Sequence, residues 1–146
     1  MEQTVVLVKP DGVQRGLIGE IISRFERKGL KLSALKMISL SDSLLEEWYV
    51  HHKDKPFFPG LKSYMKSYPV VAMLWEGIDA ATTVRTMIGI TIRGDFAMSQ
   101  QYNLIHASES PEAAERERAI MFDPSDLFDW EKVDDIHVYL EEERKK

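Results

Sequence analysis

Apolar and polar positions follow two rhythms along this chain, and the changes of rhythm divide it into strands and helices. Thr4-Val5-Val6-Leu7-Val8 is continuously apolar and mostly β-branched, which predicts a buried central strand ending at Lys9-Pro10. Asp11-Gly12 predicts a turn. Ile18, Ile21, Ile22 and Phe25 then recur at helical spacing over a segment from about Leu17 to Lys28, with Gly29 as its stop. Leu30 to Leu40 alternates enough for a second strand. Asp42 or Ser41 can cap a helix through Leu44, Leu45, Trp48 and Tyr49, and the turn from Pro56 to Gly60 leads to another through Leu61, Tyr64 and Met65. Together these predict a helical hairpin. Val70 to Trp75 is a third strand, and Asp79 can cap a helix that Gly89 stops, followed after a very short link by Arg93-Gly94-Asp95-Phe96. Leu104-Ile105 predicts a short buried strand, and Ser110-Pro111 starts a helix to about Phe122. Phe122 to Trp130 is an acidic, aromatic loop. The order predicts an α+β fold with helices against one sheet, but periodicity alone does not give the strand order.

Composition narrows this to a single domain over residues 1–146, since 44% hydrophobic content in 146 residues supports one real core and leaves no room for a second. No run approaches the ~18 apolar residues of a membrane span, and no signal-peptide pattern precedes the first strand, so the expectation is a cytoplasmic protein with no membrane partner. Zero cysteines remove thiolate catalysis and Cys-based zinc sites. The net charge of −5 is uneven: residues 109–146 hold 13 acidic and 6 basic side chains, and residues 1–108 hold 11 and 13. Basic groups able to meet phosphates thus lie mostly in the first part of the chain, whereas an acidic chain gives no broad footprint for nucleic acid.

The candidate chemistry sits at the corner between the last strand and the last long helix. His106 is there, and a strand-to-helix corner exposes a side chain on a rigid element beside free backbone N–H groups. Glu117 falls on the apolar stripe of the following helix with Ala113, Ala114, Ile120 and Met121. A buried carboxylate is costly by several kcal/mol, roughly, unless paired, so His106 or Ser108 is its expected partner. A lone histidine near apolar residues is more often a satisfied core group; the carboxylate on the stripe tips the balance toward chemistry. Neutral imidazole offers one lone pair, and a carboxylate accepting the other N–H would stabilise the charge that develops as it attacks phosphorus. Arg85 shares the stripe of Ile78, Ala81 and Ile88 and is expected to meet an anion, and with Arg93 it could clamp a phosphate tail. His51-His52 is expected at the surface, since adjacent helical positions do not converge on one metal.

Asn103-x-x-His106-Ala107-Ser108-x-Ser110 resembles the active-site signature of the nucleoside diphosphate kinases. The likeness extends from Val5 to about Tyr139 and includes Lys9-Pro10-Asp11-Gly12-Val13-Gln14-Arg15-Gly16, Lys55-Pro56-Phe57-Phe58, Val70 to Gly77 and Thr91-Ile92-Arg93-Gly94-Asp95-Phe96. This resemblance implies a ferredoxin-like α+β sandwich, with a four-stranded antiparallel sheet covered by helices. It implies ping-pong transfer of the terminal phosphate of a nucleoside triphosphate, usually ATP, to nucleoside diphosphates through phosphohistidine at His106. Lys9, Tyr49 and Asn103 would surround the transferred phosphate and sugar, Ser108 and Glu117 would support His106, and Phe57 would stack on the base. Arg85, Arg93 and a threonine would hold the phosphates. Magnesium would arrive with the nucleotide, with no metal site on the protein itself. Family members assemble as homo-oligomers, usually hexamers. They also carry a longer, proline-containing loop between the positions of Gly89 and Arg93, holding the phosphate-contacting threonine. Thr91 is the candidate for its place, and the short connection predicts a less stable hexamer, or a tetramer or dimer instead. Gln100 stands where the family commonly has valine against the base. A nucleotide-binding module without turnover is the alternative; the intact histidine, glutamate and arginines speak against it.

Overall fold

The computed structural model describes every residue from Met1 to Lys146. Strand β1 (Glu2–Val8) is central in a four-stranded sheet of order β2-β3-β1-β4, completed by β2 (Lys31–Ile38), β3 (Val70–Gly77) and β4 (Ile105–Ala107). All neighbouring strands run antiparallel. The expected four-stranded antiparallel architecture is what forms.

The continuous apolar run of β1 has a simple cause, since both faces of the sheet are covered. Val6 and Val8, with Val71, Met73 and Trp75, pack on one side with Ile21 and Phe25 of α2 (Ile18–Lys28) and Val84 of α5 (Ala80–Met87). Val5 and Leu7, with Ala72 and Leu74, pack on the other. Leu45 and Trp48 of α3 (Asp42–Trp48), Met65 of α4 (Phe58–Lys66) and Met121 of α7 (Pro111–Met121) meet them there. Alternate side chains from Val5 to Val8 therefore feed two cores, and this stretch leaves no position for a polar residue.

Several local expectations are corrected. Pro10 does not begin a simple turn: with its ring at the first helical position it opens a short helix, α1 (Pro10–Gln14). Gly89 does not stop α5. The chain continues through a π-helical turn (Ile88–Ile92) into α6 (Arg93–Phe96), because Ile88 and Ile92, 3% and 0% exposed, both face the core. Asp79 stands at the start of α5 but makes no side-chain cap; the carboxylate of Glu2 accepts from Ala81 N–H at 2.8 Å instead. Ser41, not Asp42, caps α3 through Leu44 N–H at 3.2 Å. His52 is half-buried rather than at the surface, with its ring 5.5 Å from that of Phe57. The remaining helix, α8 (Glu141–Arg144), is a single short turn near the end of the chain.

Candidate active site

Register decides where His106 points. It lies directly opposite Leu7 in the β1–β4 pairing, and directly opposed residues of an antiparallel pair share a face, so the imidazole projects toward α3 and α7. Ser110 accepts from Ala113 N–H at 3.1 Å and Pro111 follows it, so α7 starts where the sequence requires. Its buried stripe is Ala114, Glu117 and Met121.

Glu117, only 5% exposed, is joined to two groups through one oxygen: His106 Nε2 at 2.8 Å and the Ser108 hydroxyl at 2.9 Å. Ser108 is itself fixed, as its Oγ accepts from Val5 N–H at 3.0 Å. A carboxylate can only accept, so Nε2 carries the proton and Nδ1 keeps a lone pair. Trp48 lies edge-on to the imidazole, with ring centroids 5.3 Å apart. Arg116 of α7 donates to the carbonyls of Glu47 and Trp48, which fastens α3 beside the histidine. Tyr49 follows; burial first, and then the charge of Glu117, push its phenol up to about 12, so it is a neutral hydroxyl donor at any working pH.

The cations are ranged along β4 and the residues just before it. Lys9 Nζ donates to Asn103 Oδ1 at 2.8 Å. Arg93 donates to the carbonyls of Asn103 at 3.3 Å and Ile105 at 2.7 Å, and Arg85 to that of Ala107 at 3.1 Å. The free edge of the histidine-bearing strand thus orients both guanidinium groups and leaves some of their N–H bonds over for another acceptor. Arg85 is exposed rather than sheltered, and its acceptor here is a carbonyl, not an anion. Burial, and then Arg93, lower the Lys9 ammonium to about 8, with Asp11 opposing. Burial and Arg85 likewise lower Arg93. Like charges that depress one another in a partly buried place form a site suited to an anion.

Phe57, 52% exposed, and Lys9 line a cavity of about 490 Å³ with Gly60, Leu61, Tyr64, Gln101 and Tyr102. A lining that combines an exposed apolar ring with a cation suits a molecule with a flat base and a charged tail. Thr91 is held apart from this set. Its hydroxyl donates to the Met87 carbonyl at 2.8 Å and its own carbonyl accepts from Arg24 at 2.6 Å. Asp11, Trp48 and Tyr64 enter the site without having been singled out by the sequence. None of them carries a local signal, since their partners lie far away in the sequence.

Comparisons with known proteins point to one family. A family model described as nucleoside diphosphate kinase matches residues 2–127. The nucleoside diphosphate kinase of Archaeoglobus fulgidus is 48% identical over 150 residues, covering 97% of this chain and 99% of that protein. Nucleoside diphosphate kinase A of Rattus norvegicus is 48% identical over 147 residues, covering 94% and 97%. Among solved structures, that of a halophilic nucleoside diphosphate kinase from Halobacterium salinarum in complex with CDP superposes with a TM-score of 0.90 at 46% identity, covering 95% of this chain and 99% of that one. A Babesia bovis family protein superposes with a TM-score of 0.92 at 44% identity, covering 95% and 100%.

Proposed function

Because the chain belongs to the nucleoside diphosphate kinase family, and is thereby a nucleotide-binding phosphotransferase, we propose that it works by ping-pong transfer through His106 Nδ1, with ATP as the usual donor. The observation that carries this reading is the 2.8 Å bond between His106 Nε2 and Glu117, which leaves Nδ1 as the nucleophile. In the first half-reaction the Nδ1 lone pair forms a bond to the terminal phosphorus, the bond from that phosphorus to its bridging oxygen breaks, and the nucleoside diphosphate leaves with the electron pair. The imidazolium charge that appears is stabilised by Glu117, whose position Ser108 fixes. In the second half-reaction a terminal oxygen of another diphosphate attacks the phosphorus and returns the pair to Nδ1.

Lys9, Arg85 and Arg93 meet the growing charge on the phosphoryl and leaving oxygens in this reading, and Tyr49 supplies a neutral donor. Asn103, bound to Lys9 at 2.8 Å, is the residue for the sugar hydroxyl, and Phe57 stacks on the base. The Halobacterium salinarum relative was solved in complex with CDP, which supports a nucleotide as the ligand; the cleft lined by Phe57 and Lys9 is the place this reading gives it. Thr91 takes no part, since its hydroxyl is engaged within its own helix. Magnesium enters as part of the nucleotide substrate.

Self-association belongs to the same proposal. Strand β2 is a sheet edge whose first half is met by Phe128 N–H on the Ser33 carbonyl and Trp130 on that of Leu32, while beyond it Leu35 and Met37 are exposed, at 51% and 60%, and such an edge invites a second copy. A cytoplasmic location is proposed too, on the cysteine-free composition; no helix is long and apolar enough to cross a membrane. Initial velocities with ATP and CDP varied together test the mechanism. Parallel double-reciprocal lines are expected, and intersecting lines would point to direct transfer in a ternary complex.

A further inference from the structure

We infer that Asp11 is a positioning residue for the phosphoryl-transfer site, its carboxylate holding the Asn103–Leu104 bend and the α4 side of the nucleotide cleft in one arrangement. The inference rests on the reaction proposed above. Leu104 is fully buried and adopts a left-handed backbone with φ of 74°, a conformation that a branched apolar side chain disfavours and that its surroundings must impose. Two bonds impose it. Leu104 N–H donates to Asp11 Oδ2 at 3.0 Å, and the Leu104 carbonyl accepts from Lys9 N–H at 2.8 Å. Gly12 makes the approach possible, since a Cβ there would stand 2.8 Å from the Leu104 carbonyl oxygen.

What Leu104 orients is the set of groups on either side of it. Asn103 precedes it, with its side chain on Lys9 and its carbonyl on Arg93; Ile105 follows, with its carbonyl on Arg93, and then His106. A rotation at Leu104 would therefore move the sugar residue, one phosphate arginine and the nucleophile together. The other carboxylate oxygen of Asp11 accepts the hydroxyl of Tyr64, from α4. Tyr64 lines the cleft with Phe57 and packs edge-on to Tyr102, with centroids 5.2 Å apart. One carboxylate thus joins three separate segments of chain around the nucleotide without lying among the reacting groups.

Asp11 also faces Lys9 electrostatically. The charged and titratable groups about Lys9 are Arg93, which lowers its pKa, Asp11, which raises it, and Tyr64 and Tyr102 across the cleft. This gives a second readout beside the rate. Asp11→Asn keeps an oxygen for Leu104 N–H but loses the charge, so the alkaline limb of the pH profile for phosphoenzyme formation should move to lower pH. Asp11→Ala loses both and should slow phosphoenzyme formation about 10- to 100-fold, the scale set by small misplacements of reacting groups.

The experiment is single-turnover phosphorylation by ATP across pH in wild type, Asp11→Asn and Asp11→Ala, with folding checked by circular dichroism. Slowing in Asp11→Ala, with much of the rate recovered and the limb lowered in Asp11→Asn, supports the inference. Should Asp11→Ala fail to fold, Asp11→Asn alone decides through its alkaline limb. A wild type that forms phosphohistidine, together with an Asp11→Asn whose rate and limb are unmoved, overturns the role of Asp11. A wild type that forms none overturns the proposed reaction itself and this inference with it.

Discussion

In the proposed mechanism the reaction at His106 turns on which ring nitrogen is committed, and the bond to Glu117 engages Nε2. Glu117→Gln keeps an acceptor for that N–H but removes the charge that balances the imidazolium. Phosphoenzyme formation should fall about 10- to 100-fold with nucleotide KM little changed, a split that single-turnover and steady-state rates would reveal. A raised KM with little change in the phosphorylation rate would mean that Glu117 serves binding or folding instead. Lys9 gives a prediction with two opposite signs. Its folded-state pKa is lowered to about 8 from an ordinary 10.5, so phosphate affinity should weaken as pH rises through about 8. Over the window from about 8 to 10.5 the unfolded chain binds more protons at this residue, so its contribution to folding stability rises with pH. Nucleotide titrations and urea melts at pH 7 and at alkaline pH should therefore diverge, and Lys9→Met should abolish the divergence. Glu117 could be found from the sequence because a charge on an apolar stripe breaks a local rule. Asp11 and Tyr64 broke none: their partnership spans 53 residues, and that of Asp11 with Leu104 spans 93.

Elements were legible where periodicity ran long and failed where tertiary contacts overrode a local signal. Gly89 has the sequence look of a helix stop, yet two isoleucines four residues apart hold the chain in the core and carry the helix on through a π turn. The carbonyls so exposed are occupied, that of Met87 by the Thr91 hydroxyl and that of Thr91 by Arg24. Asp79 fails as a cap for a similar reason, since Glu2, distant in sequence, reaches Ala81 N–H first. The π turn carries its own prediction. Gly89 has no positive φ and a Cβ there would meet nothing within 4 Å, so Gly89→Ala should stabilise the protein by about 0.5–1 kcal/mol, through reduced freedom of the unfolded chain. Chemical denaturation would measure it, and a loss of stability would show that the turn needs glycine for a reason beyond backbone freedom.

For the molecule as a whole, the strand order came only from the family resemblance, because a pattern of buried positions says which faces are covered and not which strands are neighbours. That order has a functional result. It puts β4 at an edge beside β1, where its outer carbonyls are free to hold Arg85 and Arg93, and its register turns His106 toward Glu117. The proposed nucleophile His106, the carboxylate of Glu117 and the cations therefore converge only in the assembled sheet and its covering helices. Incubation with ATP labelled at the terminal phosphate, followed by acid and base treatment and mapping of the labelled residue, tests the outcome most directly. The predicted result is one acid-labile, base-stable phosphoryl group on His106 that passes to added CDP or GDP without further ATP, and none on His106→Ala. Transfer between nucleotides that proceeds at full rate with no label on His106, or that survives His106→Ala, would contradict it.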